Sequence, residues 1–115
     1  MIDVLHSWVQ SVETNDSSEV VKLYHENAIL LGTFSNIERQ GIVLIQEYFE
    51  GLFCSDIGVE IITRNDFETK IFTTCSGLYN FKVNGEITDA RYTFVFIKAG
   101  DSWKILTHHS SVLPE

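Results

Sequence analysis

The sequence predicts an α+β domain in which amino-terminal helices pack on one face of a curved antiparallel sheet. Apolar residues recur at helical spacing in the first half, and alternation takes over in the second. Hairpin signals then punctuate a long run of β-branched and aromatic residues. At 115 residues, 44% hydrophobic, with one proline and seven glycines, the chain is expected to be a single domain spanning 1–115, with one core and no long linker.

Val4, Leu5, Trp8, Val9 and Val12 form one apolar stripe and predict a helix ending near residue 14. Asp16 or Ser17 can cap a short second helix carrying Val20, Val21, Leu23 and Tyr24, which places His25 at its carboxyl end as a partner to the helix dipole. "AILLGTF" reads as a short strand closed by Gly32. A third helix is expected from about Ile42 to Phe53, with Ile42, Ile45, Phe49, Leu52 and Phe53 inward. The segments "VEIITRN", "TKIFTTCSGLYNFKV", "EITDARYTFVFIK" and "SWKILTHHS" read as strands, and Asp66 and Glu68 between them as solvated turn residues. Asn84-Gly85 signals a two-residue hairpin, and Ala99-Gly100-Asp101 a second turn.

These turns set an expected register. With Asn84 and Gly85 as loop residues, Asn80 faces Asp89 and Leu78 faces Arg91. With the next turn centred on Gly100, Ile97 faces Trp103, Val95 faces Ile105, and Arg91 faces His109. One face then carries Asn80, Asp89, Arg91 and His109, together with Trp103. The other carries Tyr79, Tyr92, Phe94, Lys104, Leu106 and His108, because adjacent strand residues point to opposite sides.

Eight basic against sixteen acidic residues give a net charge of −8, which repels phosphate backbones and argues against nucleic-acid binding. No window approaches the roughly 20 apolar residues of a membrane span. "MIDVLHSWVQSVET" lacks the basic start and apolar run of a signal peptide, so a cytoplasmic location is expected. Cys54 and Cys75 are expected as reduced, buried thiols, Cys75 inert for want of a neighbouring cation. The four histidines show no metal-ligand spacing, and neither a metal nor another cofactor is expected.

Two constellations carry candidate chemistry. Arg91, Asp89, His109 and Asn80 join a planar cation to a proton carrier, a set suited to a small anionic molecule or to an ion-pair network at a strand end. His108 and Tyr92, with Tyr79, are amphipathic rings suited to a cavity wall, an interface or a packed core. Which set lines a cavity depends on which face meets the helices.

The segments "RQGIVLIQEYFEGLF", with Gly41 and Tyr48-Phe49-Glu50, then "ARYTFVF" and "WKILTHHSSVLPE", resemble the association (hub) domain of calcium/calmodulin-dependent protein kinase II and its stand-alone bacterial relatives. Those belong to the nuclear-transport-factor-2-like superfamily, with ketosteroid isomerase and the SnoaL-like polyketide cyclases. The resemblance implies a cone-shaped, cystatin-like barrel with a cavity at its open end, and homodimers or larger homo-oligomers built through the sheet. It implies no kinase activity: the chain has no Gly-rich phosphate loop, no "HRD" and no "DFG". The hub arginines fall at Asn80, Phe94 and Ser110, leaving Arg91 as the nearby cation, and the carboxylates of the isomerases have no match. The expected function is a non-catalytic, self-associating module binding a small anion. The alternatives are an isomerase, dehydratase or cyclase with a His base in an enclosed pocket, and a pure assembly domain.

Overall fold

The structure is a computed structural model and describes residues 3–114. Helix α1 (Val4–Glu13) starts at Asp3, whose carboxylate accepts from the His6 amide, and buries Val4, Leu5, Trp8 and Val12. The short α2 (Ser17–Val21) is capped by Asp16 and buries Val20. Strand β1 (Tyr24–Leu31) begins four residues earlier than the apolar run suggests, so His25 lies in a strand and serves no helix end. After the two-residue β2 (Arg39–Gln40) comes α3 (Ile42–Leu52), which buries Ile45, Tyr48 and Phe49. Ile42, Leu52 and Phe53 pack at the edge of the same core.

The remaining strands are β3 (Ile57–Ile61), β4 (Asn65–Glu68), β5 (Phe72–Val83), β6 (Glu86–Ala99) and β7 (Ser102–Val112). Their order in the sheet is β2-β1-β7-β6-β5-β3, with β4 paired to β5 beyond β3. Two features depart from the expected antiparallel barrel. β1 runs parallel to β7, so the sheet is mixed. The sheet is also open, ending on β2 at one edge and on β3 and β4 at the other. A parallel pair needs a long crossover between its strands, and here everything from β2 to β6 supplies it.

The first hairpin has the expected register, Val83 opposite Glu86 and Leu78 opposite Arg91. The second does not. Its turn residues are Gly100 and Asp101, so Trp103 lies opposite Lys98, and a bulge then slips the ladder again between Val95 and Phe96. Trp103 and Lys104 therefore exchange the sides assigned from sequence, and Ile105, opposite Phe96, becomes fully buried. Leu106 falls in the bulge. The two one-residue offsets sum to an even number, so beyond the bulge each side chain keeps its expected face. His109 ends opposite Thr93 and Arg91 opposite Ser111; the direct Arg91–His109 pair does not form.

The inner face, toward the helices, carries Cys75, Tyr79, Phe81, Tyr92, Phe94, Phe96 and His108, all buried. Arg64 ties the rim together: it donates to Asp66 through Nε and Nη2 and to Asp3 through Nη1 at 2.8 Å, clamping the start of α1 to β4. Asp66 is thus an ion-pair partner and no free turn residue, and the Arg64 guanidinium holds both carboxyls below their usual range. Cys75 is buried and its thiol is pushed up to about 12 by burial, whereas Cys54 is exposed in the turn after α3, contrary to expectation. Among the described residues no helix is long and apolar enough to cross a membrane.

Gly77 lets the β3–β4 connection cross directly over β5. A Cβ there would collide with the Thr63 carbonyl, which accepts the Tyr92 hydroxyl at 2.8 Å, while Thr63 Oγ1 accepts the Leu78 amide. Gly77→Ala is expected to destabilise by about 2 kcal/mol or more, measured by urea unfolding; an unchanged midpoint counts against this close crossing.

Candidate functional site

The inner end of the sheet is occupied by a continuous polar chain. Trp8 Nε1 on α1 donates to the Tyr24 hydroxyl on β1 at 3.1 Å, and that oxygen lies 2.9 Å from His108 Nδ1 on β7. His108 Nε2 is 3.2 Å from the Tyr79 hydroxyl on β5, which donates to Ser110 Oγ at 2.5 Å. Ser110 in turn is hydrogen-bonded to Thr33, just after β1. Alternation places these groups inward, and aromatic packing seals them: the His108 ring stacks on Phe94 at 4.0 Å and meets the edge of Trp8 at 5.2 Å.

His108 is only 2% exposed. Burial, and to a smaller extent the charge of neighbouring His109, pushes it down to about 3. It is neutral throughout the physiological range, with both ring nitrogens engaged by tyrosines. Burial likewise raises the Tyr24 and Tyr79 phenols well above their usual range. The sequence-predicted set of His108, Tyr92 and Tyr79 is thus brought together on the face that meets the helices, as packed core.

The other set lies on the outer face. Arg91 and His109 border one shallow depression of about 210 Å³ with Thr93 and Ser111, and Arg91 Nε donates to Ser111 Oγ at 3.1 Å. Asp89 and Asn80 are cross-strand partners on that face but do not line the depression, and Arg91 makes no ion pair among the described residues. Neither histidine enters an enclosed pocket: His109 is exposed and His108 is sealed.

Sequence reasoning missed a large concavity, an open cleft of about 800 Å³ between α3 and the segment joining β1 to β2. Thr33, Phe34, Arg39, Glu47, Tyr48 and Leu52 line it. Pairing of Arg39 with Leu30 turns its side chain to the inner side. There its guanidinium lies 5.8 Å from the centre of the Tyr48 ring, donates to the Leu44 carbonyl at 3.0 Å and stands 3.8 Å from Glu47. The side chain is 13% exposed, and its Nε is buried without a partner. Tyr48 lies flat against Gly32, where an added Cβ would come within 2.6 Å of its ring, and burial pushes its phenol up to about 12. A signal was available in "GTFSNIER": a lone cation inside a Gly- and Ser-containing connection next to a helix start.

The chain belongs to the SnoaL-like domain family, which matches residues 2–115. It is similar to a solved protein named as a candidate calcium/calmodulin-dependent protein kinase II association domain from Xanthomonas campestris, at 32% identity and a TM-score of 0.91, covering 96% of this chain and 84% of that one. A candidate dehydratase of the NTF2-like family from Streptomyces avermitilis shares the fold at 13% identity and a TM-score of 0.87, covering 97% and 92%. A cystatin-like protein of unknown function from Nostoc punctiforme does so at 10% identity and a TM-score of 0.82, covering 97% and 87%. No curated protein matches the chain. The fold is therefore the cystatin-like, NTF2-like α+β fold that the resemblance implied.

The neutral His108 generates a pH dependence. The unfolded histidine, near 6.5, takes up a proton before the folded one at about 3. The contribution is intact above about pH 6.5 and is lost as pH falls below it, approaching 1.4 kcal/mol per pH unit. Unfolding free energies measured from pH 6.5 to 4.5 are expected to fall by about 2 kcal/mol more than in His108→Gln; parallel profiles would count against a buried neutral ring.

Proposed function

We propose that this protein is a non-catalytic, self-associating SnoaL-like module that holds a small anionic molecule in the Arg39 cleft. The observation that carries the reading is Arg39 itself. It is a largely buried guanidinium bordering a cleft of about 800 Å³, a volume suited to a small organic ligand, and among the described residues only its Nη1 makes a hydrogen bond, leaving Nη2 without a protein acceptor. A planar cation with a free donor favours a carboxylate. The packed interior supports a binding role over base chemistry, since His108 spends both nitrogens on tyrosines.

Self-association is proposed through the outer sheet face. Its centre, with Thr74, Ser76, Thr93, Val95, Ile97 and Thr107, holds no carboxylate in a chain of net charge −8. Two such chains repel least where they are neutral. Arg91 and His109 lie on this face, and we assign them to the interface, where a partner's Asp89 or Glu60 at the acidic end supplies the complementary charge.

Acetate, succinate and benzoate are expected to raise the melting temperature of the native chain, and Arg39→Gln to weaken the response at least about tenfold. No stabilisation by any of the three would remove the binding role. Light scattering is expected to give at least twice the chain mass, and Val95→Asp to halve it; a native monomer would sink the assembly role.

A further inference from the structure

The polar chain behind the cleft has a direction, and the direction follows from counting protons. An indole N–H only donates, so the Tyr24 oxygen accepts from Trp8, leaving its own proton for His108 Nδ1. At the other side of the ring, Tyr79 spends its proton on Ser110, so its oxygen accepts from His108 Nε2–H. Only the neutral tautomer protonated at Nε2 satisfies both tyrosines. Ser110 is 5% exposed and already accepts from Tyr79, so its proton goes to its remaining partner, the Thr33 hydroxyl. Each group between Trp8, which only donates, and Thr33 then donates once and accepts once. The last proton, that of Thr33, has no other acceptor among the described residues, and Thr33 lines the cleft.

We propose that this chain is polarised outward, so that Thr33 offers a hydroxyl proton beside Arg39 and the ligand faces both with acceptor oxygens, as a carboxylate does. The inference rests on the cleft being the binding site and adds the Thr33 hydroxyl as a second determinant of the carboxylate it selects. His108, Tyr79 and Ser110 act on that choice as positioning residues: none touches the ligand, yet reversing the chain would turn Thr33 into an acceptor that favours amines. Thr33 belongs to a segment that bends away from β7, so sequence spacing alone does not pair it with Ser110, 77 positions on.

Two measurements test it. Nitrogen-15 NMR of the imidazole is expected to show His108 protonated at Nε2 and bare at Nδ1. The Nδ1–H tautomer would overturn the inference while leaving the cleft free to bind. The second uses phenylacetate and 2-phenylethylamine as probes of similar shape, read by amide shifts at Thr33 and Tyr48. Phenylacetate is expected to bind and the amine not. Thr33→Val, which keeps the shape but not the donor, is expected to weaken phenylacetate about tenfold, and Thr33→Ser to restore it to within about twofold. Full binding of phenylacetate by Thr33→Val would overturn the polarity alone, and equal binding of the two probes would remove the anion preference of the cleft together with it. Binding of neither probe would remove both the polarity and the cleft reading. Should Thr33→Val fail to fold, the tautomer and the Thr33→Ser protein against the two probes still decide the matter.

Discussion

An imidazole placed in an aromatic interior must either be fully paired or unfold the site around it, because an unpaired buried polar group costs about 1–3 kcal/mol. His108 is such a ring, and its two partners come from different strands. Through them it is joined to Trp8 on α1 and to Ser110 and Thr33 at the end of the sheet, so one hydrogen-bonded chain spans helix, both sides of the ladder and a connection. The aromatic packing supplies the apolar burial; the chain makes one arrangement of those rings better than the others.

The same arrangement divides the molecule by chemistry. The interior is filled by Trp8, Tyr24, Tyr79, Phe94 and His108. A large concavity lies outside them, between α3 and the β1–β2 connection, with Arg39 as its cation. Charge is distributed accordingly. Arg64 spends its donors on Asp3 and Asp66 and holds the rim, while Arg39, among the described residues, engages only Nη1, on the Leu44 carbonyl. The sheet's outer face, despite a net charge of −8, stays free of carboxylates at its centre.

The elements and the first hairpin were legible because their signals are local. Helical spacing of Val4, Leu5, Trp8 and Val12 records which side of α1 is dry, and Asn84-Gly85 closes a turn by its own conformational preference. The second hairpin was legible in part. Its turn was misplaced by one residue and its bulge was invisible, since a bulge is chosen by how the ladder must bend to cover Ile105 and leaves no composition of its own. His25, Asp66 and Cys54 were misread for a related reason: each was given the role of its immediate neighbours, and each takes its surroundings from a strand or helix end that the local sequence does not mark.

By itself the sequence determined an α+β domain with helices first, the faces of His108 and His109, an acidic surface and the resemblance to a known family. These are matters of periodicity, charge count and turn chemistry, and each is settled within a dozen residues. Only the tertiary structure decided that β1 joins β7 in parallel, that His108 is core, and that Arg39 rather than Arg91 faces the large cleft. Those outcomes depend on how whole strands meet and not on what any one of them prefers, as in the contacts of Leu30 with His108 and of Thr33 with Ser110, far apart in the chain, and in the pairing of Leu30 with Arg39 across a connection.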